Sequence, residues 1–259
     1  MKWPNTLTVI RHGESAYNEL KEKKEADPEY IEFKRAYNRR KKDPETARKL
    51  AEKLVGDRRL LLGISDQDTP LTDKGRWQAE TTGSRLPEIT AKPDVVFVSP
   101  YLRTRQTLGG LATGWPELGE VRVVEEERVR EQEHGISILY NDWRIFHVLH
   151  PEQDQLRDIQ GPYWYRYPQG ESRPDVRERH RSLLGTLTRD YAEQNVMIVG
   201  HHLSILSLRA NLERMDEHGF HDLDQNNKPV NCGVTVYQGN PDVGQDGHLE
   251  LKIYNQQLY

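Results

Sequence analysis

The chain has 259 residues, enough for one large domain or two small ones. Its 37 Lys/Arg against 41 Asp/Glu leave a net charge of -4, which gives no general attraction to nucleic acid or an anionic membrane. A single cysteine, Cys232, excludes an intrachain disulfide and a cysteine-based zinc site, while 5 Trp, 12 Tyr and 4 Phe argue against a disordered chain. No apolar run approaches the ~20 residues of a membrane span, and the opening MKWPNTLTVIRHG does not read as a signal peptide. A soluble cytoplasmic protein is expected.

Residues 7–10 form the first apolar, β-branched run, and it leads directly into Arg11-His12-Gly13-Glu14-Ser15. A charged stretch follows from Glu19 to Arg59, with 14 Lys/Arg against 10 Asp/Glu. Inside it, Asp27-Pro28-Glu29 and Asp43-Pro44-Glu45 each read as a helix start. An Asp cap accepts free amide protons, and Pro fits the first helical position, which needs no donor. Tyr30, Phe33 and Tyr37 recur at helical spacing after the first start, and Ala47, Leu50, Ala51, Leu54 and Val55 after the second. Two amphipathic helices are predicted, over about 28–41 and 44–55. Their basic residues, Arg39 and Arg40 among them, are either a solvated outer face or a lid that meets an anionic substrate.

Beyond this stretch, apolar runs at 95–98 and 196–199 alternate with helical spacing at 76–86, 102–111 and 203–212. Weaker strands are expected at 121–124, 234–237 and 249–254, the last two as a hairpin. Continuous apolar strands alternating with helices predict a mostly parallel sheet covered on both faces, a three-layer α/β/α sandwich. A single α/β domain over residues 1–259, with a charged helical insertion at about 20–63, is the economical organisation.

Chemistry-bearing residues gather where the three clearest strands end: Arg11-His12, Ser99-Pro100-Tyr101-Leu102-Arg103 and Gly200-His201-His202. In open α/β sheets ligands sit outside the carboxyl ends of the strands. Arginine offers a planar fork of donors to phosphate oxygens, and neutral histidine can act as a nucleophile. Gly13 allows close approach of the backbone to a ligand. The residues describe a phosphate pocket containing histidine. His218 and His221 lack a third metal ligand nearby, and no HExxH, GxSxG, P-loop or GxGxxG motif occurs.

Arg11-His12-Gly13 after an N-terminal strand, extended as RHGESAYN to Asn18, resembles the signature of the histidine phosphatase superfamily, with its phosphoglycerate mutase-like fold. Four further segments fall in the family's order: Thr69-Pro70-Leu71-Thr72 with Gly75, Ser99-Pro100 with Arg103 and Thr107, Arg130-Glu131 with His134-Gly135, and Val199-Gly200-His201. Gly170-Glu171-Ser172 before an arginine-rich helix also fits. The resemblance implies His12 as the nucleophile that becomes phosphohistidine. It implies Arg11, Arg103 and His201 as holders of the phosphoryl oxygens, and Glu131 as the acid and then the base. Ser15 and Asn18 would add hydrogen bonds to the substrate. Family spacing favours Arg103 over Arg105, His201 over His202, and Glu131 over Glu125, Glu126, Glu127 and Glu133. His202 stands where the family commonly has glycine, and is placed with the substrate-binding residues.

The resemblance implies a phosphomonoesterase without metal or cofactor, acting on a small phosphorylated metabolite or on many phosphate esters. Arg130-Glu131-Gln132, Tyr165-Arg166-Tyr167 and Gly170-Glu171-Ser172 look most like the broad-range acid phosphatases. The alternatives are a phosphoglycerate mutase, whose usual proline-rich segment is not found, and a catalytically silent phospho-ligand binding module. No nucleic-acid or membrane partner is expected, and homodimers occur in the family.

Overall fold

The computed structural model describes residues 2–58 and 60–259. Its strands are β1 (Thr6–Arg11), β2 (Val95–Val98), β3 (Arg122–Glu125), β4 (Asn195–Gly200), β5 (Val234–Asn240) and β6 (His248–Gln256). The helices are α1 (Ala16–Ala26), α2 (Pro28–Asn38), α3 (Pro44–Asp57), α4 (Asp73–Arg85), α5 (Leu102–Gly114), α6 (Trp143–Leu149), α7 (Pro151–Gln160), α8 (Arg173–Asp190), α9 (His202–Leu212) and α10 (Glu217–Asn226). They divide between two compact units. One holds the residues up to Ser15, Gln67–Gln132 and Pro174–Tyr259; the other holds Ala16–Asp66 and Glu133–Arg173. No helix among the described residues is long and apolar enough to cross a membrane.

The first unit carries one sheet of six strands in the order β3-β2-β4-β1-β5-β6. The first four run parallel, and β5 and β6 join antiparallel as the expected hairpin. Successive side chains of a strand point to opposite faces, so an unbroken apolar strand needs a cover on each side. On β4, Val196 and Ile198 pack with Leu183 and Leu187 of α8 and Ile205 and Leu208 of α9. The intervening Met197 and Val199 pack with Leu86, with Leu111 of α5 and with Trp115. The result is the three-layer sandwich with a mostly parallel sheet. Each fully buried aliphatic side chain in it contributes about 2 kcal/mol.

Register places the site. Arg11 pairs with Gly200, while Ile10 and Val98 both pair with Val199. The carboxyl ends of β2, β4 and β1 therefore lie side by side, and the loops leaving them start from one edge.

In the second unit, α2 and α3 form where the Asp-Pro-Glu starts place them. Asp27 accepts from the amides of Glu29 (2.9 Å) and Tyr30 (3.0 Å), and Asp43 from that of Thr46 (3.2 Å). Tyr30, Phe33 and Tyr37 of α2 pack with Ala51 and Leu54 of α3 and Ile145 of α6. Arg40, for which the sequence leaves open a solvated outer face or a lid, is held inside this unit. It donates to both oxygens of Asp154 at 2.7 and 2.9 Å and lies 4.0 Å from the centre of the Tyr37 ring. Arg59, the last basic residue of the charged stretch, lies outside the described residues.

Buried His180 of α8 lies 2.8 Å through Nδ1 from the Val176 carbonyl and 2.8 Å through Nε2 from the Ser204 hydroxyl. A carbonyl only accepts, so Nδ1 carries the proton and Nε2 takes the hydroxyl's. Burial pushes this histidine down to about 3. The unfolded chain binds a proton near 6.5 that the folded chain refuses, so stability is lost as pH falls below 6.5. His180 accounts for about 2 kcal/mol of loss between pH 7 and 5. Urea unfolding at the two pH values will show His180→Gln losing less stability on acidification than the wild type; equal losses would show that His180 protonates freely when folded.

Candidate active site

The loop that leaves β1 is fixed largely through its backbone. The His12 amide donates to the Gly200 carbonyl at 3.0 Å, continuing the β1–β4 ladder by one residue. The Cys232 amide donates to the carbonyls of Arg11 and His12 at 3.1 and 3.3 Å, and Asn231 Nδ2 donates to the His12 carbonyl at 3.0 Å. The Gly13 amide donates to Thr107 Oγ1 at 3.0 Å, and that hydroxyl donates to the Arg103 carbonyl at 2.7 Å. One threonine therefore ties the His12 loop to the turn of α5 that carries Arg103.

Glycine at 13 is required by the protein itself. A Cβ there would lie 2.5 Å from the Gly75 carbonyl oxygen, and one at Gly75 would lie 2.0 Å from that of Glu14. The two backbones meet face to face at the start of α4, where Thr72 caps the helix by accepting from the Gly75 amide at 3.0 Å. Buried Glu14 accepts from the Thr72 hydroxyl at 2.9 Å and pairs with Lys74, so its role is structural. Ser15 is buried and bridges to Leu71. Asn18 lies on α1, in the second unit.

His12 is buried, with Nδ1 2.7 Å from the Gly13 carbonyl. Because that oxygen only accepts, the proton of neutral His12 sits on Nδ1 and the lone pair on Nε2. Its ring centre lies 5.2 Å from that of His201. His201 is fully buried, its Nε2 is 2.8 Å from Ser99 Oγ, and its Nδ1 has no hydrogen-bond partner. Burial, followed by the charge of Arg103, holds both histidines well below the usual range. Both are therefore neutral at neutral pH.

The competing residues separate by burial and partner. Arg103 is buried, with its guanidinium 4.8 Å from the Tyr101 ring centre, whereas Arg105 is half exposed and pairs with Glu125. Glu126 is bound bidentately by Arg128, and Glu127 pairs with Arg130. Glu131 instead accepts backbone amides on Oε1, from Gln132 at 2.9 Å and Leu203 at 3.1 Å. Oε2 accepts from the same Leu203 amide at the longer distance of 3.4 Å. The turn bearing Glu131 is clamped by Arg179 of α8, which donates to the carbonyls of Arg128 (2.7 Å), Arg130 (2.8 Å) and Glu131 (2.9 Å).

Arg11 extends one nitrogen, Nη1, to the Pro229 carbonyl at 2.8 Å, while its buried Nε has no partner. Burial lowers its affinity for the proton, and Glu131 acts in the opposite direction. Arg11, Arg103 and Glu131 form one electrostatic cluster, within which Arg11, Arg103 and His202 act on His12. Buried positive charge in excess, with unfilled N–H groups beside it, suits an anion. Ser99, Thr107, Arg179 and Asn231 were not assigned functions from the sequence, because hydroxyls, amides and helical arginines gain theirs only through tertiary neighbours.

The imidazoles provide a direct check. Proton–nitrogen correlation spectra will show neutral His12 with its proton on Nδ1, and no titration of His12 or His201 between pH 7.5 and 5.5. A midpoint near 6.5 for either would contradict their desolvation.

A model of the histidine phosphatase superfamily (branch 1) matches residues 60–245. The phosphoglycerate mutase-like protein AT74 of Arabidopsis thaliana is 30% identical over 207 residues, 73% of this chain and 61% of that relative. The chain thus spans less than two thirds of the length of that relative. Phosphoserine phosphatase 1 of Hydrogenobacter thermophilus is 26% identical over 156 residues, 60% of this chain and 68% of that protein. Mycobacterial glucosyl-3-phosphoglycerate phosphatase, solved with inorganic phosphate, has the same fold, with a TM-score of 0.61 at 19% identity over 98% of both chains. The motif order, the fold and the family match agree: the chain belongs to the histidine phosphatase superfamily.

Proposed function

We propose that the protein is a metal-independent phosphomonoesterase working through phosphohistidine, acting on a small phosphorylated metabolite or a range of phosphate esters. The observation that carries this reading is the buried, partnerless pair Arg11 Nε and His201 Nδ1 beside a nucleophile whose tautomer is fixed. The phosphatases among the relatives and structural neighbours support the same reaction class.

In this reading Arg11, Arg103 and His201 hold the three equatorial oxygens, and Ser15 adds a hydrogen bond. Nε2 of His12 attacks phosphorus in line, forming the N–P bond as the P–O bond to the alcohol breaks. Glu131, acting as the acid, gives a proton to the departing oxygen. Water then attacks the phosphohistidine, Glu131 removes its proton, and the N–P bond breaks to release phosphate. The enzyme returns with His12 neutral and Glu131 protonated. The protein's contribution is position and positive charge, as the spread of charge in phosphoryl transfer demands.

A mutase reading is favoured by the names of the Arabidopsis relatives. It uses the same first step but returns the phosphoryl group to the product.

The test is phosphate release in EDTA from p-nitrophenyl phosphate, sugar phosphates, nucleotides and phosphopeptides. Release by the wild type is expected, with loss beyond detection in His12→Ala and a fall of roughly 10²–10³ in kcat for Arg103→Ala. Release surviving His12→Ala would remove the assigned nucleophile. Interconversion of phosphoglycerates without release would establish the mutase instead.

A further inference from the structure

His202 sits between two parts of the candidate site. His201 precedes it, and the Leu203 amide that anchors Glu131 Oε1 follows it. It opens α9, and its side chain is 20% exposed, so it is neither fully packed away nor free in solvent. Its Nε2 lies 2.8 Å from Oδ1 of Asp224, a carboxylate on α10 whose side chain is only 9% exposed. The carboxylate fixes Nε2 as the donor, which leaves Nδ1 as the nitrogen that can turn to a ligand. An acid holding one ring nitrogen of a histidine sets the tautomer and direction of the other.

Arg11, Arg103 and His201 already account for the three oxygens of a phosphoryl group. His202 is a fourth group able to carry positive charge, and its chain neighbour Leu203 holds Glu131, the residue assigned to the departing alcohol. Whatever it meets belongs to the alcohol and not to the phosphate.

We propose that Asp224 is a positioning residue which aims His202 at the alcohol part of the substrate, so that the pair selects phosphomonoesters carrying a second anionic group. This rests on the phosphomonoesterase reading above and adds the substrate class to it. The pair buries a carboxylate at modest cost because the histidine satisfies it. In the imidazolium form its gain is a directed Nδ1–H donor for the anionic group of the alcohol.

A matched pair of esters tests this, 3-phosphoglycerate against glycerol 3-phosphate, which differ by a carboxylate in place of a hydroxymethyl group. Wild type, Asp224→Asn, His202→Gln and the double variant are compared, with melting midpoints to confirm folding. The wild type is expected to prefer the carboxylated ester at least tenfold in kcat/KM, with the difference carried by KM. Each single variant should bring the ratio below about threefold, and Asp224→Asn should have no further effect once His202 is glutamine. A histidine that merely packs α9 against α10 would change the rates on both esters alike. An absent preference in the wild type, or a ratio that survives both substitutions, overturns the proposal. Calorimetric binding of the two esters runs in parallel. Preferential binding without turnover of any ester would defeat the phosphomonoesterase reading while keeping the selector.

Discussion

Two guanidiniums and two imidazoles withdrawn from water at the end of a parallel sheet form the constraint on which the rest of this structure depends. Burying such groups is costly unless something of opposite charge meets them, and Glu131 is a carboxylate that acts on Arg11. Buried guanidinium groups at the end of the sheet are complementary to an anion. The same burial keeps His12 and His201 unprotonated, as a nucleophile requires.

Holding such a cluster in place falls to backbone and hydroxyl groups more than to ion pairs. Gly13 and Gly75 let two main chains touch, and Thr107 links the His12 loop to Arg103. Ser99 orients His201, and Arg179 gathers three carbonyls under Glu131. Glu14, inside the most recognisable motif of the chain, serves this scaffold by capping interactions with Thr72 and Lys74. A motif residue is thus retained for packing as readily as for chemistry.

What was legible in the sequence follows from the same physics. Strands covered on both faces are continuous apolar runs, so β1, β2 and β4 stood out and their ends marked the site. The helices after Asp27 and Asp43 announced themselves through caps and Pro. By contrast no residue of α7 is fully buried, and α6 spans only two turns. Arg40 looked like a free cation because its partner Asp154 is 114 residues away in the chain. The partnership of His202 with Asp224 was equally silent, since it depends on how α10 packs beside α9. Local pattern reveals elements and motifs, whereas side-chain partners across the fold need coordinates.

The central claim is that His12, neutral and with Nδ1 committed to the Gly13 carbonyl, takes the phosphoryl group on Nε2. Rapid acid-free quenching of the enzyme during turnover of a phosphorus-labelled aryl phosphate, followed by peptide mapping, tests it most directly. The account predicts label on His12 alone, as the Nε2-phosphorylated isomer, formed and discharged at rates compatible with turnover. Label on Nδ1, on another residue, or none at all while phosphate is being released would contradict it.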